Sequence, residues 1–401
     1  MLKPDGSDQR PAVAIVANCV APYRVHLHAA LAASLDGFRL LSVFTHAKTD
    51  FEWQVDLPPE IHATAFSEAG EDPSEPLMRH PKREYRKGRR IWDYLVRERV
   101  RFVICHGYNS IANLTVARAA RKAGVPVVLR GDSNIYAEHR LPAWKRGAKR
   151  VVIGRLLRGF DAVMAAGQAG REYFAYYGVP EGRIFTVPFL PDYDALGLGA
   201  DRRASDGRRK LLFAGRLVDV KRVDLLVDAF VALAQERPTW DLVIAGDGPL
   251  RESLAARVPE PLKPRVEWLG FCEFDRIVEV YASSDLLVLP SDFEPWALVV
   301  QEAMAAGLAV VCTDVVGAAH DLVIDRVSGR RFGPGRLDEL IEALRDATDE
   351  TSLATYRDGA RRVLAEFREA WDPAAGLHAA MKALGVDPSP APAPQTAEAT
   401  T

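Results

Sequence analysis

Residues 210–221 read KLLFAGRLVDVK, and a helix-like stretch, VDLLVDAF, follows at 223–230. The run KLLFAG (210–215) is apolar without alternation, a pattern typical of a strand that is buried on both faces of a parallel sheet. A strand, a short loop and a helix in this order form one half of a βαβ unit. The scheme recurs in the second half of the chain, where the other apolar runs are DLVIAG (241–246), VEWLG (266–270), DLLVLP (285–290) and AVVCT (309–313).

The first half of the chain shows the same alternation of apolar runs and helix-like stretches. Its runs are AVAIVAN (12–18), RLLSVFTH (39–46), RFVICHG (101–107), VPVVLRGD (125–132), DAVMAAG (161–167) and IFTVPF (184–189). Parallel strands joined by helices build doubly wound sheets, so the sequence predicts an α/β fold with two Rossmann-like domains. We expect a first domain at 1–191, a linker at 192–209 and a second domain at 210–365. A C-terminal helix at 366–385 would pack back toward the first domain, and a disordered tail would follow at 386–401.

Composition excludes several classes of protein. Hydrophobic residues make up 48% and charged residues 26% of the 401, which excludes a disordered, collagen-like or coiled-coil chain. The four cysteines are far apart in the sequence and form no CxxC pair, which excludes a zinc finger or a disulfide scaffold and fits a reducing cytosol. The first eleven residues have no apolar run of a secretory signal, and no window is apolar for long enough to span a bilayer. We therefore expect a cytoplasmic protein.

The net charge of −2 hides an asymmetry between the two halves of the chain. Residues 79–158 contain 21 Lys and Arg but only 5 Asp and Glu. Two segments, 80–92 and 143–158, place these cations beside apolar residues such as Trp144. Such segments can dock on an anionic membrane surface, or they can be the solvated faces of helices whose apolar stripes pack on the sheet. We expect membrane docking, and no nucleic-acid partner, because the aromatic residues form no stacking platform.

Ligands of parallel sheets bind beyond the carboxyl ends of the strands, so the residues after each strand of the second half are candidates for a site. Arg216 follows the first of these strands, and Lys221 lies at the start of the next helix. Two cations at a helix start suit a phosphate or diphosphate, although a solvated pair would look the same. The glycine turn IAGDGP (244–249) lacks the GxGxxG spacing of a dinucleotide site and is better explained by close backbone packing.

The segment LPSDFEPWALVVQEAMAAG (289–307) is the most informative stretch of the chain. A strand ends near Pro290, Glu294 lies in the loop, and a helix begins near Ala297. Glu302 then lies about 6 Å further along the helix axis. Free amides at a helix start can bind a diphosphate, and the two carboxylates can accept hydrogen bonds from sugar hydroxyls on either side of it. The segment therefore predicts a nucleotide-sugar site, unless both residues are ordinary surface glutamates.

These segments together resemble the donor-binding half of the retaining GT4 family (group 1) of GT-B glycosyltransferases. The resemblance extends over about 210–335 and is weaker in the first half of the chain. Glu294 and Glu302 match the E-x7-E motif of that family. The segments that carry the resemblance are GRLVDVK (215–221), IAGDGPLRESL (244–254), VEWLGF (266–271), YASSDLLVLPS (281–291), EPWALVVQEAMAAG (294–307) and VVCTDVVGAAHDLVIDRVSGRRF (310–332).

The resemblance implies a GT-B fold, with two Rossmann-like domains facing an interdomain cleft, and a role for each matching residue. Arg216 and Lys221 would neutralise the diphosphate of the donor. Glu294 would bind the hydroxyls of the donor sugar, and Glu302 those of the ribose. The amides of Leu298 and Val299 would meet the phosphate, and Phe271 would hold the base. At 297 the family usually has glycine where this chain has alanine, so the identity of the sugar does not carry over.

In the first half, the resemblance points to residues that would face the acceptor. His106 matches the interdomain histidine near the transferred sugar. Pro22-Tyr23-Arg24 resembles a subgroup of polysaccharide-building enzymes, and Arg130 and Asp132 end a strand that would face the cleft. The residues expected to be catalytic are His106, Arg216, Lys221 and Glu294.

The function implied is a retaining, metal-independent hexosyltransferase of polysaccharide synthesis. It would transfer a sugar from a nucleotide-diphosphate donor to a glycan or polyprenyl-linked acceptor, at the inner face of the cytoplasmic membrane. We expect no cofactor and no metal, because the lone Asp-x-Asp, Asp192-Tyr-Asp194, lies in the linker rather than at a strand end. A GT-B nucleotide-sugar epimerase and a catalytically inactive sugar-binding subunit are the alternatives.

Overall fold

The computed structural model describes residues 9–46, 55–67, 71, 80–139, 141–197 and 207–387. These residues form two α/β domains, each built on one parallel sheet. The middle of the predicted linker, 198–206, and almost all of the predicted tail, from 388 onward, lie outside the described residues.

The N-terminal sheet has seven described strands in the order β3-β2-β1-β4-β5-β6-β7, and neighbouring strands are parallel. Every residue of β1 and β2 is buried, as their unbroken apolar runs predict. The strands are β1 (Ala12–Ala17), β2 (Arg39–Phe44), β3 (Thr64–Ala65), β4 (Val100–His106), β5 (Val127–Gly131), β6 (Ala162–Ala165) and β7 (Ile184–Thr186).

Helices cover both faces of this sheet. The side chain of Ser110 starts the third helix by accepting a hydrogen bond from the amide of Asn113. The helices are α1 (Pro22–Ser34), α2 (Pro81–Arg97), α3 (Ile111–Lys122), α4 (Tyr136–His139), α5 (Ala143–Leu157) and α6 (Gln168–Tyr176). The short helix α7 (Tyr193–Gly197) follows, within the predicted linker.

The C-terminal sheet has six described strands in the order β10-β9-β8-β11-β12-β13, again parallel. The sixth strand reads GRRF and was not predicted, because its two arginines break the apolar pattern; Arg330 is paired with Asp325 and Asp346. The strands are β8 (Arg209–Ala214), β9 (Trp240–Ala245), β10 (Val266–Gly270), β11 (Leu286–Leu289), β12 (Ala309–Thr313) and β13 (Gly329–Phe332).

The helices of the second domain follow its strands in alternation. Leu226 and Val227 of the first of them are fully buried in the domain core. They are α8 (Val223–Leu233), α9 (Arg251–Ala255), α10 (Phe274–Ala282), α11 (Leu298–Ala305), α12 (Ala319–Leu322) and α13 (Leu337–Ala347).

The C-terminal segment forms two helices where the sequence predicts one over 366–385. Helix α14 (Glu350–Ala370) ends before Asp372, whose carboxylate accepts from the amide of Ala375 and starts α15 (Pro373–Ala383). Pro373 cannot continue the first helix because it lacks an amide hydrogen. Helix α15 buries Leu377, Ala380 and Met381 in the core of the N-terminal domain. The chain thus returns from the second domain to the first.

No helix among the described residues combines the length and the apolar character that crossing a bilayer requires.

Candidate functional site

A cleft of about 1800 Å³ lies between the carboxyl edges of the two sheets. From the N-terminal domain, α1 contributes Tyr23 and His26. The opposite wall comes from the loops after β8, β9 and β10 and from the start of α11. Of the residues predicted to bind the donor, those that line the cleft are Arg216, Phe271, Leu298, Val299 and Glu302.

The glycine turn after β9 packs directly against the loop after β8. A Cβ atom at Gly246 would lie 1.8 Å from the carbonyl oxygen of Gly215, so only glycine fits there. The amide of Leu217 donates to the carbonyl of Asp247, which ties the two loops together. The turn therefore serves close backbone packing, as the sequence indicates, and this packing supports Arg216.

Lys221 and Glu294 are paired with each other. The ammonium of Lys221 contacts Oε1 of Glu294, and the hydroxyl of Ser291 donates to the same oxygen at 2.9 Å. Glu294 is only 5% exposed. A buried carboxylate needs such partners, because an unpaired charge away from water is costly. The structure thus joins the cation predicted for the diphosphate to the carboxylate predicted for the sugar.

Glu302 lies one helical turn inside α11, on the floor of the cleft. Its Oε2 accepts a hydrogen bond from the hydroxyl of Tyr281 at 2.8 Å. Burial raises the pKa of Glu302 to about 7. Near neutral pH this carboxyl group therefore exists both as a carboxylate, which only accepts hydrogen bonds, and as a neutral acid, which can also donate one. Both forms can bind the hydroxyl groups of a ligand.

Ala297 precedes α11 in a left-handed conformation, with φ 76° and ψ 78°. Non-glycine residues rarely adopt this region, because the Cβ approaches the backbone too closely. The left-handed backbone thus explains why the family that this chain resembles usually has glycine at this position. The turn directs the first amides of α11, those of Leu298 and Val299, toward the cleft that both residues line.

The predicted acceptor-side residues divide into two groups. Tyr23 lines the cleft and packs edge-on against Phe189, with the ring centroids 5.5 Å apart. Arg24 instead donates within its own domain, to Asn18 Oδ1 at 2.7 Å and to the carbonyl of Cys19 at 2.9 Å. Pro22 and Tyr23 are therefore the members of this motif that line the cleft.

Arg130 is not one of the residues that line the cleft, where the sequence predicts it. Its guanidinium donates to the carbonyls of Val187 and Pro188, at 3.1 and 3.0 Å, and lies over the ring of Phe189. These bonds satisfy carbonyls of the segment that leaves the first domain, so Arg130 has a structural role. Asp132 is exposed and is not one of the residues that line the cleft. Its negative charge favours the charged forms of Arg130 and Arg24.

His106 ends β4 behind the cleft lining. Its ring packs edge-on against His28 at 6.1 Å. Burial, with the nearby charges of Arg130 and Arg24, lowers the pKa of His106 well below its usual range. Nε2 of this neutral ring is buried and has no hydrogen-bond partner among the described residues. A neutral imidazole nitrogen of this kind can donate or accept one hydrogen bond, according to its tautomer, with a ligand that reaches it.

One group among the described residues has metal-ligand chemistry, namely His46, Glu71 and Glu84. Lys87 lies within it, with its ammonium 2.8 Å from Glu71, 2.9 Å from Glu84 and 3.4 Å from His46. Arg83 also contacts Glu71, at 3.2 Å, so two cations neutralise the two carboxylates and these residues do not fit a metal ion. The group lies at the end of β2, away from the predicted donor residues.

Three residues beyond the predicted set act on the site. Ser291 and Tyr281 belong to the segment YASSDLLVLPS, which the sequence singles out only for its resemblance. Asn134, in the loop after β5, crosses to the other domain: its amide nitrogen lies 2.5 Å from the carbonyl oxygen of Glu294. No signal in the sequence marks Asn134, because its partner lies 160 residues away.

Two further contacts join the domains beside Asn134. The rings of Tyr136 and His320 stack with centroids 3.7 Å apart. The carboxylate of Asp321 accepts from the amide of Gln168 at 3.1 Å, at the N-terminus of α6. Burial raises the pKa of Asp321 to about 6. The loops after β5 and β6 thus meet the donor-side loops directly.

The chain matches two family models, one in each domain. Residues 19–189 match the glycosyl transferase 4-like domain, and residues 200–362 match glycosyl transferases group 1. Together the two matches span most of both domains.

Curated relatives match mainly over part of their length. An uncharacterized glycosyltransferase of Methanocaldococcus jannaschii is 36% identical over 136 residues, or 34% of each chain. The lipopolysaccharide core biosynthesis mannosyltransferase LpsB of Rhizobium meliloti is 37% identical over 185 residues, 42% of this chain and 49% of its own. The chain thus spans about a third to a half of these relatives.

Solved structures match over nearly the whole chain. HepE of Anabaena, solved with UDP and glucose, superposes with a TM-score of 0.66 at 20% identity and covers 89% of this chain and 95% of its own. At this identity the likeness shows the fold alone. With two parallel-sheet Rossmann-like domains, and with a family match in each, the chain belongs to the group 1, GT4-like glycosyltransferases of GT-B fold.

Proposed function

We propose that this chain is a retaining, metal-independent glycosyltransferase that transfers a hexose from a nucleotide-diphosphate sugar to a glycan or lipid-linked glycan of cell-surface polysaccharide or lipopolysaccharide. One observation carries the proposal: cations, helix amides and two carboxylates meet at the carboxyl edge of the second sheet. The lining includes Arg216 and Glu302, and the ion pair of Lys221 and Glu294 lies beside it. Family membership and the relatives in lipopolysaccharide synthesis support the same reading.

The nucleotide half of the donor fits the wall formed by the second domain. Phe271 is 42% exposed on this wall and offers a ring face for stacking of the base. Glu302 offers oxygen atoms to the ribose hydroxyls, and Tyr281 holds it in place. Arg216 and the first amides of α11 then face the diphosphate, where positive charge and aligned dipoles favour an anion.

The sugar half of the donor falls near Glu294. Its carboxylate accepts hydrogen bonds from sugar hydroxyls, while Ser291 and Lys221 hold it in a fixed orientation. Lys221, already within contact of Glu294, can reach the phosphate oxygen that departs. Preorganised charge at the leaving oxygen lowers the barrier, because the groups need no reorientation during the reaction. The cations and amides of the site supply this charge without a divalent ion.

The proposed reaction breaks the bond between the anomeric carbon and the diphosphate oxygen. An acceptor hydroxyl forms the new bond on the same face of the sugar, and its proton passes to the departing phosphate oxygen. Glu294 is engaged with Lys221, which suits a carboxylate that binds hydroxyls rather than one that attacks carbon. His106, neutral and with Nε2 unpartnered among the described residues, is a hydrogen-bonding group for the transferred sugar.

Membrane docking is the second part of the proposal. Helix α5 exposes Trp144, Val151 and Val152, which are 71%, 71% and 63% exposed, and buries only Leu157. Lys145 and Arg155 are exposed beside them. The helix packs on its domain through Ile153, Leu156 and Leu157, and its outer face carries apolar and basic side chains. Such a face suits an anionic lipid surface, such as the inner face of the cytoplasmic membrane.

The other basic segment, 80–92, belongs to α2 and is less suited to docking. Its Ile91 and Gly88 pack inside the domain, and its Lys87 is fully buried in the ion cluster of Glu71 and Glu84. Its outer cations, such as Arg86 and Arg89, are exposed, with Tyr85 as the exposed large apolar side chain of the segment. We therefore propose that α5 carries the apolar part of the contact and that α2 adds charge.

Turnover of defined donors tests the enzymatic proposal. The purified chain is incubated with UDP-, GDP- and ADP-hexoses, with and without a polyprenyl-linked glycan fraction, and products are identified by NMR. The expected result is acceptor-dependent transfer with the donor's anomeric configuration kept. Conversion of the donor without acceptor would indicate an epimerase, and donor binding without any conversion would indicate an inactive sugar-binding subunit.

A further inference from the structure

Asn134 connects the acceptor-side domain to the loop that carries Glu294. It lies in the loop after β5 and is 2% exposed. Its side-chain amide lies 2.5 Å from the carbonyl oxygen of Glu294 and 3.1 Å from that of Pro295. A third carbonyl, that of Val315, is 3.4 Å away. The two hydrogens of this amide thus donate to three carbonyl oxygens, all of which belong to the other domain.

The second domain holds the same loop in a different way. Ser291 and Lys221 bind the carboxylate of Glu294, and the amide of Gly317 donates to its carbonyl at 3.2 Å. The carbonyl of Glu294 therefore accepts hydrogen bonds from both domains. Since the carboxylate and the carbonyl belong to one residue, a shift of the carbonyl moves the carboxylate as well.

The hydrogen bonds of Asn134 do not extend to the nucleotide side of the cleft. Phe271, Arg216 and Glu302 belong to the loops and helices of the second domain, and none of the hydrogen bonds of Asn134 given above reaches them. The stacking of Tyr136 on His320 and the hydrogen bond from the amide of Gln168 to Asp321 reach the second domain beyond the Glu294 loop. Asn134 thus donates hydrogen bonds from the first domain to the loop of the sugar-binding carboxylate itself, and Trp296 of the same loop packs against Gly167 of the first domain.

We propose that Asn134 is a positioning residue through which the first domain sets the orientation of Glu294. Recognition of the donor sugar then depends on contact between the two domains, whereas recognition of the nucleotide does not. The inference rests on the proposed donor site and deepens it. It makes the contact of Asn134 with the second domain a condition for binding the sugar hydroxyls.

The test compares nucleoside diphosphates with the corresponding nucleotide sugars. Binding of UDP and UDP-glucose, and of GDP and GDP-mannose, is measured by calorimetry for the wild type and for Asn134→Ala. For the pair that the wild type binds, we expect the variant to bind the diphosphate within about twofold of the wild type. Binding of the nucleotide sugar should weaken about 10-fold, the range for hydrogen bonds removed from buried partners. A general loss of structure would weaken both ligands alike.

Two further variants keep the test decisive. Asn134→Leu keeps the volume without the amide, and serves if Asn134→Ala is poorly folded. Asp321→Ala removes a contact between the domains that does not touch the Glu294 loop, and should leave the ratio of the two affinities unchanged. A similar loss in Asp321→Ala, or an unchanged ratio in both Asn134 variants, would overturn the role of Asn134. Failure of the wild type to bind any of these ligands would overturn the donor site and this inference together.

Discussion

The hydroxyl of Tyr281 donates to Oε2 of Glu302 across 2.8 Å, on the floor of the interdomain cleft. Tyr281 is fully buried, so it holds the carboxyl group from below while the other side faces the cleft. Burial raises the pKa of Glu302 to about 7, and the hydrogen bond from Tyr281 only partly offsets this. The same group therefore links pH, stability and nucleotide binding.

The free energy of unfolding should fall as the pH rises, because Glu302 ionises while it is buried. The folded pKa, about 7, is above the usual value of 4.5, so the stabilisation by the neutral acid is complete below about pH 4.5 and is lost as the pH rises through 7. Glu302→Gln should thus unfold at a higher temperature than the wild type at pH 8 and at nearly the same temperature at pH 4.5. The difference at pH 8 is at most about 3 kcal/mol. Thermal unfolding from pH 4.5 to 8 measures it.

Nucleotide binding should respond in the opposite direction. In the proposed site the ionised carboxylate of Glu302 would accept hydrogen bonds from two ribose hydroxyls, so affinity for the nucleoside diphosphate should fall as the pH drops from 8 to 6. Glu302→Gln should bind weakly at both values. The control is Glu267→Gln, at an exposed position on β10, which should follow the wild type. The terminal phosphate of the ligand titrates in the same range in every variant, so a pH dependence in Glu302→Gln as steep as that of the wild type would contradict the assignment.

Lys221→Ala should weaken binding of the nucleoside diphosphate by about 10- to 150-fold, the range for a charge-assisted hydrogen bond. The matched control is Lys263→Ala, which removes an exposed lysine of the same domain. Lys221→Ala should also lower the free energy of unfolding, because Glu294 loses its counter-charge. Adding Glu294→Gln should restore stability without restoring affinity. Wild-type affinity in Lys221→Ala would exclude this lysine from the site.

Chelation should leave transfer intact. Arg216, Lys221 and the amides at the start of α11 meet the charge of the leaving diphosphate, so activity in EDTA should equal activity in buffer alone. The measurement is the initial rate of transfer, with magnesium and manganese added back. Loss of activity in EDTA and its recovery with either ion would show that the site uses a divalent cation.

Ala297→Gly should stabilise the protein. An alanine at φ 76° destabilises the folded state by about 1–2 kcal/mol, and glycine would remove this strain. Glycine also gives the unfolded chain more conformational entropy, which opposes folding by about 0.4–1 kcal/mol. The net gain is about 0.5–1 kcal/mol. Ala305→Gly, at the other end of α11, should instead cost about 0.5–1 kcal/mol. Urea unfolding of both variants checks the opposite signs, and destabilisation by both would refute the strain at Ala297.

Sedimentation with lipid vesicles tests the docking of α5. Binding to phosphatidylglycerol vesicles should fall steeply as salt rises, because exposed charges are screened beyond about 8 Å at physiological ionic strength. Replacing Lys145, Arg146, Arg150 and Arg155 with Gln should release the protein and leave donor binding unchanged. Lys149 is kept, since it pairs with the buried Glu138.

A control for this experiment removes the same charge from the other domain. Lys263, Arg276, Arg361 and Arg362 are exposed, and their replacement with Gln should not affect sedimentation. Equal binding to phosphatidylglycerol and phosphatidylcholine vesicles, or no binding to either, would contradict docking and favour a water-soluble acceptor.

The sequence alone determined the two α/β domains, and it predicts which positions along the chain bind the donor. Unbroken apolar runs such as KLLFAG identify buried parallel strands, because burial on both faces leaves no room for alternation. Residues that follow such strands meet at one edge of the sheet, so Arg216, Glu294 and Glu302 could be assigned to one site before their distances were known. These are consequences of local pattern and of the topology that it imposes.

The tertiary structure decided which partners these residues have. Arg24 and Arg130 end strands or begin helices as acceptor residues would, yet carbonyls of their own domain bind both. Asn134 carries no local signal, and its role arises only because two domains bring it 2.5 Å from Glu294. Hydrogen bonds between residues far apart in the chain depend on how the domains pack, and side-chain type and spacing do not encode that packing directly.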